Sequence, residues 1–398
     1  MGRLRAAACL AGLFPVVAGC RLLVLQPKGR AGVTVDSWSP IGGGLGSREP
    51  TPCVPATQPA IPYAEGWLGA DGGASVPLPD GSSVWLFGDS FIGEAGAANR
   101  DHAAIVNNTI GISACNGTRW GAMDHYWRQF ETTPEAFFNP YGVGFDWPLE
   151  AFYSGSSLYA LLQRGERTPR VGQGFELTGT DLAIISTTNP TVWTKPWQWK
   201  QQIVPINTSA HAYPDSTAIV DGAYVYIYTS LSGYGYTSSP MMVVRAPLDN
   251  LGSIASSLEY LSASTRTWEP GLVESDAQIV MDQGASEMSV RFHPAQNEWI
   301  AVYIPADLAA TQIVMRTAPN YLGPWSDPQP IYQIPEMTPT NPTHKPNTFC
   351  YAAREHIEWV TDTSMVVTYA CNSRDFSTTL LTDMELYRPV PVTIPLQP

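Results

Sequence analysis

Asp71 and Asp89 are the first residues in this chain whose types and spacing suggest chemistry. Both lie in DGGASVPLPDGSSVWLFGDSF, where a Pro79-Asp80-Gly81 turn separates two runs rich in β-favouring residues. Folding the stretch about residue 80 pairs Val76 with Val84 and Ala74 with Leu86, and it sets Asp71 opposite Asp89. Like charges directly opposed on a sheet are destabilising. A pair that persists there points to use, because neighbouring carboxylates push one pKa up and leave the other group ionised. Opposed Cβ atoms lie about 4.5 to 5.5 Å apart, close to the roughly 5 to 5.5 Å between the two carboxyl groups of a retaining glycosidase. A one-residue slip would send the two side chains to opposite faces.

Positioning such a pair requires a rigid scaffold, and the chain repeats one. Five stretches share a polar or acidic start, an apolar strand, a turn and a second strand rich in aromatic and β-branched residues, beginning at Asp71, Trp147, Tyr213, Ala285 and Tyr351. Third strands follow in NNTIGISAC, MMVVRAPL and QIVMRTAP, and tryptophans open a fourth in WQWKQQI, TWEPGLV and GPWSDPQPIYQ. Four strands repeated five times predict an all-β chain folded as a single five-bladed β-propeller with four-stranded blades. An N-terminal strand in VTVDSWSP is expected to close the ring, and residues 248–263 to form a short surface helix.

In a propeller the first strand of each blade lines a central channel, so acids at matching early positions should converge. Glu150, Asp215 and Glu287 occupy such positions and are candidate substrate-binding residues, with Trp147, Tyr213 and His211 beside them as rings on which a sugar could stack. His356 and Asn372 would face the same channel from the fifth unit. For each ring the competing role is packing between blades. Arg291 would either neutralise one of the acids or lie on the solvent face.

Composition narrows the partners. Gly and Pro together number 69 and charged residues make up 14%, a turn-rich composition, while 13 Trp, 18 Tyr and 12 Phe supply a large core. The formal charge of −13 excludes the basic footprint of a nucleic-acid binder. MGRLRAAACLAGLFPVVAGC reads as an export signal over 1–20, and VAGC offers Cys20 as a lipid attachment site, with a plain secretory signal as the alternative. Residues 21–50 then form a flexible segment and 51–398 the propeller. Cys53, Cys115, Cys350 and Cys371 remain for disulfides in an exported protein. Cys350 and Cys371 sit on successive strands of one unit, which pairs them and leaves Cys53 for Cys115. Metal-ligand pairs, phosphate-cradling glycine loops and nucleophile elbows are absent. No cofactor is expected, and a structural cation in the channel is left open.

The Asp71–Asp89 stretch, with ASEMSVRFHPAQNEWIAVY and MRTAPNYLGPWSDPQPIY, resembles secreted glycoside-hydrolase-type five-bladed propellers over roughly Gly66 to Val392. Within these it is similar to a group catalogued as a domain of unknown function that includes bacterial endo-D-arabinanases. The resemblance implies catalytic aspartates at Asp71 and Asp89. It also implies a secreted or surface-anchored hydrolase, monomeric, acting on a furanose-containing polysaccharide. The alternative is a non-catalytic carbohydrate-binding or adhesion propeller, because the fold hosts both.

Overall fold

The computed structural model describes residues 59–115, 120–169, 174–189, 191–209, 211–232 and 239–396. The export signal, the strand expected in VTVDSWSP and Cys53 lie outside the described residues. Five antiparallel sheets follow one another along the chain, each opening with its innermost strand: Trp67–Pro77, Phe145–Ser154, Ala212–Asp221, Ser289–His293 and Thr348–Thr361. Each inner strand touches the inner strand of the next sheet, and the fifth touches the first, so the sheets form a closed ring. This is the expected five-bladed propeller.

Blades carry three to five strands rather than a uniform four. Blades two and four have four. In blade three Glu259–Leu261 is the fourth strand, and the tryptophan strand expected to be fourth, Trp268–Pro270, is the fifth. The expected helix over 248–263 is reduced to a 3-10 stretch, Leu248–Ser253, and a single turn, Ile254–Ser257, because Leu258 turns extended to enter that fourth strand. Blade five shows three strands among the described residues, ending with Val390–Pro395 from the C-terminal end of the chain.

Inter-blade packing follows from strands that are apolar on both faces, the pattern of sheets covered on both sides. Leu86, Ile110, Leu158 and Ile185 join blades one and two. Leu161, Ile206, Val225 and Ile227 join blades two and three. Tyr228, Met241, Val290 and Tyr303 join blades three and four. Blade five packs against blades four and one through Val302, Val367, Tyr369, Leu68 and Phe91.

The seam between the last and first blades has an additional clamp. Arg100 is 1% exposed, and it donates from Nε to Leu68 O at 2.6 Å, from Nη1 to Leu380 O at 2.7 Å and from Nη2 to Leu386 O at 2.7 Å. One guanidinium thereby satisfies backbone carbonyls of both blades. Within blade five, Cys350 and Cys371 are direct partners in register and form the expected disulfide, Cα–Cα 4.1 Å. Cys115 is also disulfide-bonded, with its expected partner Cys53 outside the described residues.

Candidate active site

The hairpin of blade one carries the two aspartates with one departure from the simple register. Val76 pairs with Val84 and Ala74 with Leu86 as the turn dictates, and Ala70 pairs with Ser90, but Gly72 pairs with Phe87 between them. Two compensating bulges result. Gly73, at φ +110°, is the extra residue on the first strand, a backbone state suited to glycine. Asp71 then faces both Gly88 and Asp89 instead of standing squarely opposite Asp89. A Cβ on Gly88 would lie 2.3 Å from Asp71 Oδ1. The Asp71 carboxyl group thus rests directly on Gly88, the residue before Asp89, and only glycine leaves room for it.

Each aspartate is fixed by two donors from distant parts of the chain. Asp71 Oδ2 accepts from the Tyr351 hydroxyl at 2.7 Å and the Tyr387 hydroxyl at 3.0 Å. Asp89 Oδ1 accepts from Asn107 Nδ2 at 2.9 Å and Trp147 Nε1 at 2.8 Å, while its Oδ2 has no hydrogen-bond partner. Burial pushes the Asp71 carboxyl well above the usual range, the Asp89 and Glu287 charges push it further, and the two tyrosines oppose them. Burial also raises Asp89, countered by Trp147, Asn107 and the Arg167 guanidinium. Tyr387 reaches Asp71 from a backbone at φ +60°, unusual for a bulky residue and characteristic of strain held at functional sites.

The acids expected to converge do so in different states. Glu287, in the bend before the fourth inner strand, is half-buried, with its carboxyl raised to about 7 by burial against the opposing charge of Arg354. Asp215 is fully buried; Gln163 Nε2 donates to its Oδ2 at 3.0 Å, and its Oδ1 has no partner. Burial raises it well above its ordinary value. Glu150 is occupied: its Oε1 accepts from Ala151 N at 2.9 Å, and its Oε2 accepts from Thr217 and Arg291, each at 3.1 Å, and from Arg354 at 3.5 Å. Arg291 therefore neutralises an acid. Arg354 also donates to Met288 O at 2.7 Å and Ser216 O at 3.0 Å, tying blade five to blades two, three and four across the axis.

The rings and amides proposed beside the acids serve mostly as supports. Trp147, 7% exposed, is boxed by Phe145 and Phe175 at centroid distances of 4.6 and 5.1 Å and aims its N–H at Asp89, so it positions that carboxylate and offers no open face. Tyr213 is buried, which pushes its hydroxyl up to about 12. The His211 side chain is exposed at the entrance to the third inner strand. His356 is fully buried, its ring nitrogens each 2.7 Å from the Ser75 and Thr368 hydroxyls, and burial lowers its pKa to about 3. No nitrogen of this ring remains for a sugar. Asn372 donates to the Tyr351 hydroxyl at 3.3 Å and so acts one step behind Asp71. Among the described residues no group of three or more His, Cys, Asp or Glu is arranged to hold a metal ion.

Sequence reasoning missed Tyr351, Tyr387, Asn107, Gln163 and Arg354. Tyr351 had a signal, since it opens the fifth unit in the slot that Asp71 fills in the first. Arg354, three residues on, fills nearly the slot that Glu150 fills in the second unit. Tyr387 belongs to a connection outside the repeat, and Asn107 lies in the connection just before the strand Thr109–Ser113, at the start of the NNTIGISAC stretch, where no spacing singles it out.

Comparison with known proteins agrees with this architecture. Among solved structures, a protein from Bacteroides ovatus ATCC 8483 whose hydrolase assignment is provisional matches 84% of this chain and 87% of its own at 17% identity and a TM-score of 0.64. An α-L-arabinofuranosidase from Lactobacillus brevis matches at 14% identity, covering 85% of this chain and 93% of its own, with a TM-score of 0.46. A family 117 glycoside hydrolase from the marine bacterium Zobellia galactanivorans matches at 10% identity, covering 85% and 87%, with a TM-score of 0.45. The first likeness is one of fold; the other two are more distant. No curated protein matches the chain. The model of one family, "Domain of unknown function (DUF5005)", matches residues 62–394. That span takes in every inner strand and both aspartates of the bulged hairpin, and the chain belongs to the DUF5005 family.

Proposed function

We propose that the protein is an exported glycoside hydrolase that cleaves a furanose-containing polysaccharide in the manner of an endo-D-arabinanase, with Asp71 and Asp89 as its catalytic carboxyl groups. One observation carries this reading: two buried carboxyl groups on one hairpin, the charge of Asp89 raising Asp71, each held by its own pair of donors, with the Asp71 carboxyl resting on Gly88, the residue before Asp89. Asp71, the more strongly raised of the two, is the proton donor, from Oδ1 to the leaving oxygen. Asp89, the less elevated of the two, acts as the carboxylate. Its Oδ1 is engaged by Trp147 and Asn107, and its Oδ2 either attacks the anomeric carbon or takes a proton from the attacking water. Residues 1–20 direct export, and Cys20 is the anchor point if the lipoprotein box is processed.

A second arrangement of the same chemistry has its own support. Glu287, held at about 7 and coupled to Asp71, is poised to exchange a proton at neutral pH. If Glu287 is the donor, Glu287→Gln abolishes turnover as fully as Asp71→Asn and the alkaline limb of the rate profile falls near 7. If Asp71 is the donor, Glu287→Gln costs far less.

The test is release of reducing ends by the purified protein from D-arabinan, L-arabinan and galactofuranose polymers, alongside Asp71→Asn and Asp89→Asn. The expected outcome is cleavage of at least one polymer, lost in both variants with folding intact. Polymer binding without cleavage by the wild-type protein would establish the non-catalytic carbohydrate-binding propeller instead.

A further inference from the structure

Away from the channel, a cleft of about 620 Å³ opens at the outer seam between blades three and four. Leu261 and Arg266 line it from blade three, Gln278–Asp282 from the segment that continues to Glu287, and Arg316, Leu322 and Trp325 from blade four. Its size falls within the range of small-molecule sites, about 300 to 1,000 Å³. Its polar groups are built in. Arg316 is 5% exposed, and it donates from Nε to the Tyr303 hydroxyl at 2.8 Å and from Nη1 to Ser326 O at 3.2 Å, with Asp282 Oδ1 at 2.9 Å from the same nitrogen. Those contacts use Nε and Nη1 and lock the guanidinium plane at the cleft wall. Asp282 itself is 83% exposed and has acceptor capacity to spare. Across the cleft, Arg266 Nη1 donates to Gln278 Oε1 at 2.6 Å and holds that amide in place.

The balance of these groups selects the ligand. Arg266 and Arg316 are offset by Asp282 and Asp327, so the lining offers donors and acceptors without net charge. Leu322, Pro324 and the half-buried Trp325 supply an apolar wall. Fixed donor and acceptor pairs beside an aromatic and aliphatic wall suit vicinal hydroxyls above a C–H face, the two surfaces of a neutral sugar.

We propose that this cleft is a second saccharide-binding site, which holds a stretch of the polymer chain apart from the bond being cut. The proposal rests on the polysaccharide reading above. It places the holding site on the segment that ends at Glu287, so a chain held there is fastened to the element that also feeds the channel.

The experiment is native affinity electrophoresis in gels containing D-arabinan or L-arabinan, using the full chain with Asp89→Asn so that nothing is cut. Arg316→Gln is the direct variant; because Arg316 is packed, Arg266→Ala with Asp282→Ala, both exposed, is the second. Retardation in at least one polymer is expected, weakened roughly tenfold by the exposed double variant, as expected for losing charged hydrogen-bonding partners. In the background with Asp89 intact, the same double substitution should leave cleavage of short oligosaccharides unchanged and slow cleavage of the long polymer. Undiminished retardation in both variants overturns the second site and leaves the proposed activity standing. Absence of both retardation and cleavage overturns the site together with the polysaccharide reading.

Discussion

Buried carboxyl groups in neighbouring blades, Asp71 and Asp89 in the first and Glu150 in the second, are held in opposite ways. Around Asp71 and Asp89 every hydrogen-bond donor is neutral: two tyrosines, an asparagine and a tryptophan. Around Glu150 the donors include two guanidinium groups and a hydroxyl. Neutral donors orient a carboxyl group without cancelling its burial, so its pKa rises and it remains able to gain or lose a proton. Cations cancel the charge and spend it on holding strands together, which is why Glu150 ties blades two, three, four and five through Arg291 and Arg354. A carboxyl group stands in both places, and the partners decide whether its charge is cancelled or its pKa raised.

That contrast can be broken most directly by removing one charge from each group. Asp89→Asn should lower turnover about a thousandfold, within the range of a lost acid or base, while thermal stability holds or rises as a buried like charge next to Asp71 is removed. Glu150→Gln should do the reverse: it removes the carboxylate that bridges Arg291 and Arg354, a loss on the order of 3 to 5 kcal/mol, read by chemical denaturation. Equal effects of both substitutions on stability would show that the two groups are not distinct.

Next in size is the covalent tie in blade five. Replacing both Cys350 and Cys371 by Ala should lower unfolding free energy by about 2 to 4 kcal/mol. It should affect turnover only through Tyr351, the neighbour that holds Asp71.

A smaller effect separates positioning from packing in the neutral-donor group. Trp147→Phe keeps the ring against Phe145 and Phe175 and deletes the N–H to Asp89. Turnover should fall roughly ten- to a hundredfold, the scale of one hydrogen bond to a charged group. The acidic limb of the rate profile should move to higher pH, since that N–H lowers the Asp89 pKa. An unmoved limb would reduce Trp147 to packing.

The last effect, one of pH dependence, concerns Asp146, a carboxyl group with neither kind of support. It is buried with no partner on either oxygen, and burial, with the nearby Asp181 charge, raises it to about 8 against the pull of Arg164. A raised carboxyl pKa means the folded state binds more protons than the unfolded chain between about 4 and 8, so the stability it contributes is lost as pH rises through that window. The melting temperature of the wild-type protein relative to Asp146→Asn should decline from pH 5 to pH 8 and level off above. A constant difference across that range would mean that Asp146 does not titrate there.

Much of the scaffold was legible from local pattern. Strand alternation and the Pro79-Asp80-Gly81 turn set the Val76–Val84 register, and the spacing of five similar units set the blade number. The pairing of Cys350 with Cys371 followed from two consecutive strands. Most of what went unread depends on residues far apart along the chain. The Gly73 bulge moves Asp71 off its opposed position, and a register counted from the turn alone carries no sign of it. Glu150 looked equivalent to Asp215 and Glu287, because nothing near it in sequence announces an arginine 204 residues later.

The sequence by itself determined the five hairpins, their order, and the presence of acids at their early positions, since these rest on contacts between residues close along the chain. Only the tertiary structure decided which acids are held by neutral donors and which by cations. That outcome depends on Tyr387 reaching Asp71 across 316 residues and Arg354 reaching Glu150 across the axis. Such contacts form only once loop-closure entropy has been overcome by closing the ring, and no local pattern encodes them.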